Sequence, residues 1–275
     1  MTNLPMPTLP ATRVLHLERR GAYLFVTMND PATRNALSTT MLAELEAVLA
    51  VTRDDRIMRA IVLQGRDGMF CAGGNLKGAL GESAPAAGAA DPVREENERG
   101  GRLFHDLNRH PMVVIALVDG AAMGGGLGLA CCADIVITTP RARFALSETS
   151  LGLTPAQIAP FVISRIGLAA ARRLALTGAR FDGAVAAAIG LSDRHCESAE
   201  HAADTVQRLL ADIGRCGPHA NAVTKALLFE VAGIDRDDLI RRAADAFTAC
   251  LRSDEGREGI AAFIQKRRPT WSDVS

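Results

Sequence analysis

Two glycine-rich segments of the sequence could do chemistry through their backbone amides. Residues 70–77 read FCAGGNLK and residues 120–128 read GAAMGGGLG. A turn that leads from a strand through glycine into a helix presents unpaired N–H groups at the start of the helix. Two such turns facing each other would place two donors on one carbonyl oxygen, which is an oxyanion hole. The alternative, which glycine content alone favours, is that these glycines only permit tight turns and close packing.

A glutamate that could carry protons stands at position 148, directly after the apolar residues 144–146 and Ser147. A carboxyl group beside an apolar pocket has a pKa suited to proton transfer. The alternative is a surface glutamate on a loop, as most glutamates are. His105 and His110 flank the predicted end of a helix, where a cationic side chain would stabilise the helix C-terminus without any chemistry.

Other kinds of site are not supported by the sequence. Neither glycine segment fits G-x-x-x-x-G-K-[ST] or G-x-G-x-x-G, which are the phosphate-binding patterns of nucleotide enzymes. The six cysteines form no C-x-x-C pair, which argues against a disulfide framework or a zinc site, and Cys71 is interpreted as a buried structural thiol. The 275 residues include 31 basic and 31 acidic side chains, so the net charge of zero argues against a general nucleic-acid binder.

The elements that must position these groups alternate between strands and helices. Apolar runs bounded by turn residues predict strands, and apolar positions at helical spacing predict helices, with Ser38 as the N-cap of the first. This alternation predicts crossover connections and a parallel sheet. The predicted elements are a hairpin (14–19 with 22–28), buried strands at 59–64, 112–118 and 134–138, helices at 93–109 and 125–132, and, after residue 155, helices at 156–165, 169–177, 182–188, 198–215, 218–231, 236–251 and 253–266.

The chain is expected to be a cytoplasmic globule with no membrane partner. Its first ten residues have neither a basic region nor an apolar stretch, and the apolar stretch 111–133 is interrupted by Asp119 and several glycines. Residues 78–91 are rich in Gly, Ala and Pro and are predicted to form a surface loop. We divide the chain into a core over residues 1–200 and a helical region over residues 201–275.

An ordered set of motifs resembles the enoyl-CoA hydratase/isomerase (crotonase) family over nearly the whole chain. The resemblance implies an α/β fold with a crotonase-like ββα spiral core and a helical C-terminal region used for oligomerisation, as a homotrimer or homohexamer. The motifs are RNAL (34–37), RAIVL (59–63), FCAGG (70–74), DGAAMGGG (119–126), ADI (133–135), FALSE (144–148), LGLTP (151–155), EGIAAF (258–263) and KRRP (266–269).

By this resemblance the substrate is an acyl-CoA thioester, and no metal or redox cofactor is needed because coenzyme A is part of the substrate. The N–H groups of Gly74 and Gly125 would bind the thioester oxygen, and Glu148 would act as acid and base. The resemblance favours an enoyl-CoA hydratase, with a Δ3,Δ2-enoyl-CoA isomerase or an inert acyl-CoA-binding homologue as alternatives. The substrate-binding positions that it implies are Arg34, Ala36, Ala72, Asn75, Leu76, Lys77, Gly124, Gly128 and Lys266.

Three departures from the family pattern bear on the reaction. Gly128 stands where the hydratase pattern has a second catalytic Glu, Asn75 stands where Asp is more common, and residues 155–160 replace a glycine-rich stretch. The local sequence around these positions resembles that of hydratases of the methylglutaconyl-CoA and isohexenylglutaconyl-CoA type, from leucine and acyclic-isoprenoid breakdown. Lys266 could reach the coenzyme A of a neighbouring subunit or could simply end a solvated helix.

Overall fold

The computed structural model describes residues 8–55, 57–76, 90–231 and 235–272. Its first element is the predicted hairpin, in which β1 (Leu15–Arg20) pairs antiparallel with β2 (Tyr23–Met28). The hairpin is the edge of a six-stranded sheet in the order β1-β2-β3-β5-β7-β10, where all pairs after the first are parallel. The predicted parallel sheet is therefore confirmed. Its other strands are β3 (Ala60–Gly65), β5 (Val113–Val118), β7 (Ile135–Thr138) and β10 (Arg194–His195).

A second sheet, which the sequence did not predict, lies beside the first. Its order is β4-β6-β8-β9, with parallel pairs except between the last two strands. Each strand has three residues, which is too short for a hydrophobic period to show in the sequence. The strands are β4 (Met69–Cys71), β6 (Ala121–Met123), β8 (Arg143–Ala145) and β9 (Arg180–Asp182). The first two overlap the two glycine-rich segments.

Within the described ranges the helices complete four consecutive ββα units, of which the first is the hairpin with the helix that follows it. After α1 (Thr39–Thr52), which the Ser38 side chain caps as predicted, α2 (Pro92–Asn108) follows β3 and β4. In the same way α3 (Gly125–Cys132) follows β5 and β6, and α4 (Ala159–Thr177) follows β7 and β8. The expected ββα spiral core is therefore present. Two predicted helices are joined in α4, which kinks at Gly167, where φ is +75°.

The expected helical C-terminal region is also present. α5 (Gly183–Ala188) comes before this region, whose helices are α6 (Ala199–Gly214), α7 (Pro218–Glu230), α8 (Arg236–Arg252) and α9 (Asp254–Ile264). Apolar residues of α6, such as Val206, pack with Val62 and Ile115 on one face of the six-stranded sheet. The division at residue 200 stays a prediction. In the described ranges, no helix combines the length and the apolar character needed to cross a lipid bilayer.

Candidate active site

The two glycine-rich segments meet at the ends of their strands. β4 and β6 are parallel neighbours, so the turns that follow them lie at the same edge of the small sheet. A Cβ on Gly73 would lie 2.8 Å from the carbonyl oxygen of Met123 and 3.4 Å from the amide nitrogen of Gly125. The φ of Gly73 is +93°, so both its conformation and this close approach require glycine. The first glycine turn therefore lies against the start of α3.

The start of α3 presents a backbone amide at this contact, next to the turn that contains Gly74. Gly125 is the first residue of α3, so its N–H has no acceptor within the helix. Next to Gly74, the Leu37 N–H donates to the Gly73 carbonyl at 2.8 Å, and a Cβ on Gly74 would face open space. The close approach of the two turns is compatible with two N–H donors on one oxygen atom. That the Gly74 and Gly125 amides bind the thioester oxygen stays a prediction.

The segment that precedes α1 braces the first glycine turn. Asn35 is 2% exposed and has a φ of +58°, and its carboxamide accepts from the Asp30 N–H at 2.7 Å and donates to the Met69 carbonyl at 2.8 Å. The Ala72 N–H donates to the Arg34 carbonyl at 3.2 Å. Sequence reasoning did not give Asn35 a part in the site, although an asparagine in a left-handed conformation is a known turn-forming feature.

Glu148 and the second glycine turn are brought together, as the candidate site requires. Glu148 begins a 3₁₀ turn, Glu148–Leu151, and its carboxyl lies against Gly124, where a Cβ would stand 2.7 Å from Oε1. Gly124 has a φ of +49° and its N–H donates to the Ala145 carbonyl at 2.9 Å. The carboxyl is therefore held at the N-terminus of α3, one residue before the Gly125 amide.

Burial raises the pKa of the Glu148 carboxyl, and a hydrogen bond from its own backbone N–H opposes this only in part. Its Oε2 atom is buried and has no hydrogen-bond partner within the described part of the chain. A buried polar atom without a partner needs an explanation, and proton exchange with a bound molecule is one that fits a carboxyl of raised pKa. The interpretation of Glu148 as an ordinary surface glutamate does not fit this burial.

The position expected for a second carboxylate is filled by hydrocarbon. A Cβ on Gly128 would lie 2.3 Å from Cγ2 of Ile158, 2.9 Å from its Cβ and 3.4 Å from Cε1 of Phe104. Ile158 belongs to the segment 155–160 that departs from the family pattern. Two of the departures seen in the sequence are therefore in direct contact with each other.

The other expected binding residues fall into three groups. Ala72, Asn75 and Leu76 lie on the first glycine turn or just after it, and Leu76 is 44% exposed. Arg34 is exposed and Ala36 is buried, both in the segment that braces this turn. Lys77 and most of the predicted loop 78–91 lie outside the described residues. Lys266 is exposed after α9, which packs on α7 and α8, and its part in the site stays a prediction.

Cys71 and His110 have structural roles. Cys71 is fully buried, which raises the pKa of its thiol to about 12 and confirms the interpretation as a structural thiol. His110 is also fully buried, and burial lowers its pKa to about 4, so it is a neutral side chain and the sequence-based interpretation as a helix-end cation is wrong. Across the described ranges, no three His, Cys, Asp or Glu side chains converge as metal ligands would.

Known proteins share this fold and sequence pattern. Residues 18–274 match the family described as enoyl-CoA hydratase/isomerase. A putative enoyl-CoA hydratase of Thermus thermophilus is 34% identical over 256 residues, which are 92% of this chain and 98% of that protein. A mevalonyl-coenzyme A hydratase of Beauveria bassiana is 29% identical over 91% of each chain.

Two solved structures are similar over almost their full length. An enoyl-CoA hydratase/isomerase from Marinobacter aquaeolei superposes with a TM-score of 0.91 and is 44% identical, covering 94% of this chain and 99% of that one. Pseudomonas aeruginosa AtuE superposes with a TM-score of 0.90 and is 46% identical, covering 95% of this chain and all of that one. The ββα spiral, the paired glycine turns and these matches lead to one conclusion: the chain belongs to the enoyl-CoA hydratase/isomerase family.

Proposed function

We propose that the protein adds water across the 2,3-double bond of an enoyl-CoA thioester. The observation that carries this proposal is the Glu148 carboxyl, partly buried and against Gly124, at the helix start that also presents the Gly125 amide. Family membership supports an acyl-CoA thioester as the substrate. The family includes hydratases and isomerases, so the kind of reaction rests on the chemistry of this site.

In the proposed reaction the thioester oxygen accepts hydrogen bonds from the N–H groups of Gly74 and Gly125. Glu148 takes a proton from water, the hydroxide adds to Cβ, and the electron pair of the double bond moves to the thioester oxygen as an enolate. The two amides and the positive end of α3 stabilise this charge. The enolate then collapses as Cα receives the proton from Glu148, which restores the ionised carboxyl for the next turnover.

The proposal needs no metal or redox cofactor, because the amides stabilise the enolate and hydration changes no overall oxidation state. Coenzyme A enters as part of the substrate. Its phosphates would be bound by Arg34, which is exposed in the segment that braces the first glycine turn, and by Lys266 from a neighbouring copy. Lys77 stays a candidate on the sequence resemblance. Solvated cations of this kind attract a phosphate even on a chain of zero net charge.

The contact between Gly128 and Ile158 favours a second candidate, a Δ3,Δ2-enoyl-CoA isomerase. A single carboxyl can carry one proton from Cα to Cγ without water, so the missing second carboxylate is no obstacle to isomerisation. The same absence would also be expected in an inert acyl-CoA-binding homologue. These alternatives share the oxyanion hole and differ in what Glu148 does.

Absorbance of the conjugated enoyl thioester separates these reactions. A hydratase removes the signal of crotonyl-CoA or methylglutaconyl-CoA, whereas an isomerase creates the signal from a 3-enoyl-CoA. Glu148→Gln should lower either rate by about 100-fold or more, the scale of general acid–base catalysis. Glu197→Gln, at an exposed glutamate elsewhere, is the control. Full activity in Glu148→Gln would overturn the proposal, and binding without turnover across the panel would establish the inert alternative.

We also propose that copies of the chain assemble through the C-terminal helices, as a trimer or a dimer of trimers. Large apolar side chains there are open to solvent: Leu228 and Phe247 are each 69% exposed, Phe263 is 84% exposed and Ile264 is 72% exposed. Exposed apolar groups in such number are typical of an interaction surface. Lys266 follows Ile264 closely, so this assembly would carry it toward a neighbouring copy.

A further inference from the structure

Glu148 and Ile158 lie over adjacent turns of the same side of α3. Gly124 and Gly128 are four residues apart, and the Gly128 N–H donates to the Gly124 carbonyl at 3.0 Å. Residues at this spacing are neighbours on one face of a helix. The Glu148 carboxyl covers Gly124 and the Ile158 side chain covers Gly128, so a glycine at each position makes room for a side chain from another element.

Ile158 is fixed in this place by the elements around it. It is 3% exposed, and its carbonyl accepts from the Val162 N–H at 3.0 Å at the start of α4. The preceding residue, Gln157, donates to Oδ1 of Asn97 on α2 at 2.8 Å. Phe104 of α2 lies close to the same space, because a Cβ on Gly128 would stand 3.4 Å from its Cε1 atom. The backbone at and before Ile158 is therefore tied to α4 and α2, which holds its side chain over Gly128.

We propose that Ile158 is a positioning residue. By filling the space over Gly128, it keeps other proton donors and acceptors out of this part of the site, so that Glu148 carries the protons of the reaction. The Ile158 side chain fills the volume over Gly128 with hydrocarbon, so a second acid group at position 128 has no room there. The reacting water or proton is then handled by the Glu148 carboxyl alone. This inference rests on the proposed function, because it assigns Ile158 a role only if Glu148 is the acid and base.

The surroundings of Glu148 make the effect of Ile158 measurable. The influences on the pKa of Glu148 are burial, which raises it, and its own backbone N–H, which lowers it, and no charged side chain of the described ranges stands among them. Because burial dominates, a polar group introduced at position 158, one helical turn along α3 from the carboxyl, should lower its pKa. Activity that requires the ionised carboxyl would then persist to lower pH.

Two variants of equal shape test the proposal. Ile158→Val and Ile158→Thr both keep Cβ and Cγ2, the two atoms of Ile158 that contact the Gly128 position. They differ in that Thr carries a hydroxyl group where Val carries a methyl group, in the place of Cγ1. We expect Val to retain most of kcat and the acid limb of the kcat/KM profile. Thr should lower kcat several-fold and move that limb to lower pH by up to about one unit, a common scale for environmental shifts of a carboxyl. KM should change little in both.

Several outcomes would overturn the proposal. Coincident acid limbs and equal kcat values for Val and Thr would show that the polarity at this position has no influence on Glu148. Val206→Ala, which removes apolar volume from the cluster behind the six-stranded sheet, is the control for a mere loss of stability. If Val206→Ala shifts the acid limb as Thr does, the effect is a general consequence of instability and the proposal is wrong.

A third variant keeps the test decisive if Ile158→Thr does not fold. Gly128→Glu combined with Ile158→Gly removes the blocking side chain and supplies a second carboxyl, so the pH profile should gain a second ionisation. An unchanged profile in this folded double variant would overturn the proposal. A failure of the proposed function would be seen in a different experiment. Full activity of Glu148→Gln would show that Glu148 takes no part in the reaction, and this result does not depend on the residue at position 158.

Discussion

The carboxyl of Glu148 fits against α3 because Gly124 has no side chain: a Cβ there would lie 2.7 Å from Oε1. The same contact removes the carboxyl from water and raises its pKa. Folding therefore favours the neutral form of the Glu148 carboxyl, whereas the proposed reaction begins with the ionised form. Such a cost to stability at a reactive group is a frequent feature of catalytic sites.

We predict that Glu148→Gln increases the free energy of unfolding at pH 7. The pKa of Glu148 is higher in the folded than in the unfolded chain, so its stabilising effect is present below the unfolded pKa and is lost as pH rises through the folded pKa. Glutamine has no ionised form and avoids this loss. Chemical denaturation of both proteins at pH 7 and near pH 4 should show the advantage of glutamine shrinking at the lower pH. A difference that is constant with pH would contradict the raised pKa.

The oxyanion hole can be tested at Gly125 without removing a side chain. Gly125→Pro deletes the N–H at the first helical position, where proline is tolerated. Loss of one such donor should lower kcat by roughly 100- to 1,000-fold. Gly125→Ala is the matched control, because it adds a Cβ 2.9 Å from the flexible end of Leu37 but keeps the N–H. Equal activities in the folded Pro and Ala variants would remove this amide from the mechanism.

The parts of the fold that could be predicted are those with long periodic patterns. The apolar runs of β3 and β5 and the helical spacing of α1 extend over enough residues to define a period. Both strands are present close to their predicted bounds, and α1 begins after its predicted N-cap, Ser38. The strands β4, β6 and β8 have three residues each, so they left no periodic signal. They are formed because neighbouring strands supply their hydrogen-bond partners.

The candidate site was predictable as a set of residues but not as a set of contacts. Motif resemblance singled out Gly124, Gly128 and Glu148, whereas the packing of Ile158 on Gly128 joins positions 30 residues apart through two different elements. His110 shows the same limit, because its place at the end of a helix suggested a cation and its burial makes it neutral. Burial depends on the whole fold and cannot be read from a residue's neighbours in sequence.

The buried His110 should make the protein sensitive to mild acid. The Met112 N–H donates to Nδ1 at 3.3 Å and Nε2 lies 3.2 Å from the Leu49 carbonyl, which fits a neutral ring protonated on Nε2. Because the folded pKa is about 4 against an ordinary 6.5, stability should be complete above pH 6.5 and fall as the pH drops toward 4, by up to ~3 kcal/mol. Denaturation at several pH values should show a flatter dependence in His110→Gln over this window. Parallel curves would contradict the assignment.

The exposed apolar surface of α9 predicts self-association. Replacing Phe263, which is 84% exposed, by Asp should lower the mass measured by light scattering, because a charge would have to be buried between copies. Phe263→Leu keeps the apolar character and should leave the mass unchanged. If the native protein already has the mass of one chain, or if Asp leaves a larger assembly intact, α9 is not part of the interface.

The contact between Gly128 and Ile158 predicts a substitution whose effect changes sign with its background. In a free helix Gly→Ala is stabilising by about 1 kcal/mol, but here the added Cβ would lie 2.3 Å from Cγ2 of Ile158. Such overpacking typically costs about 1–3 kcal/mol, so Gly128→Ala should lower the free energy of unfolding of the native protein. In the Ile158→Gly background the obstruction is gone and the same substitution should raise it. A double-mutant cycle measured by denaturation gives the coupling directly, and additive effects would show that the two positions do not compete for one space.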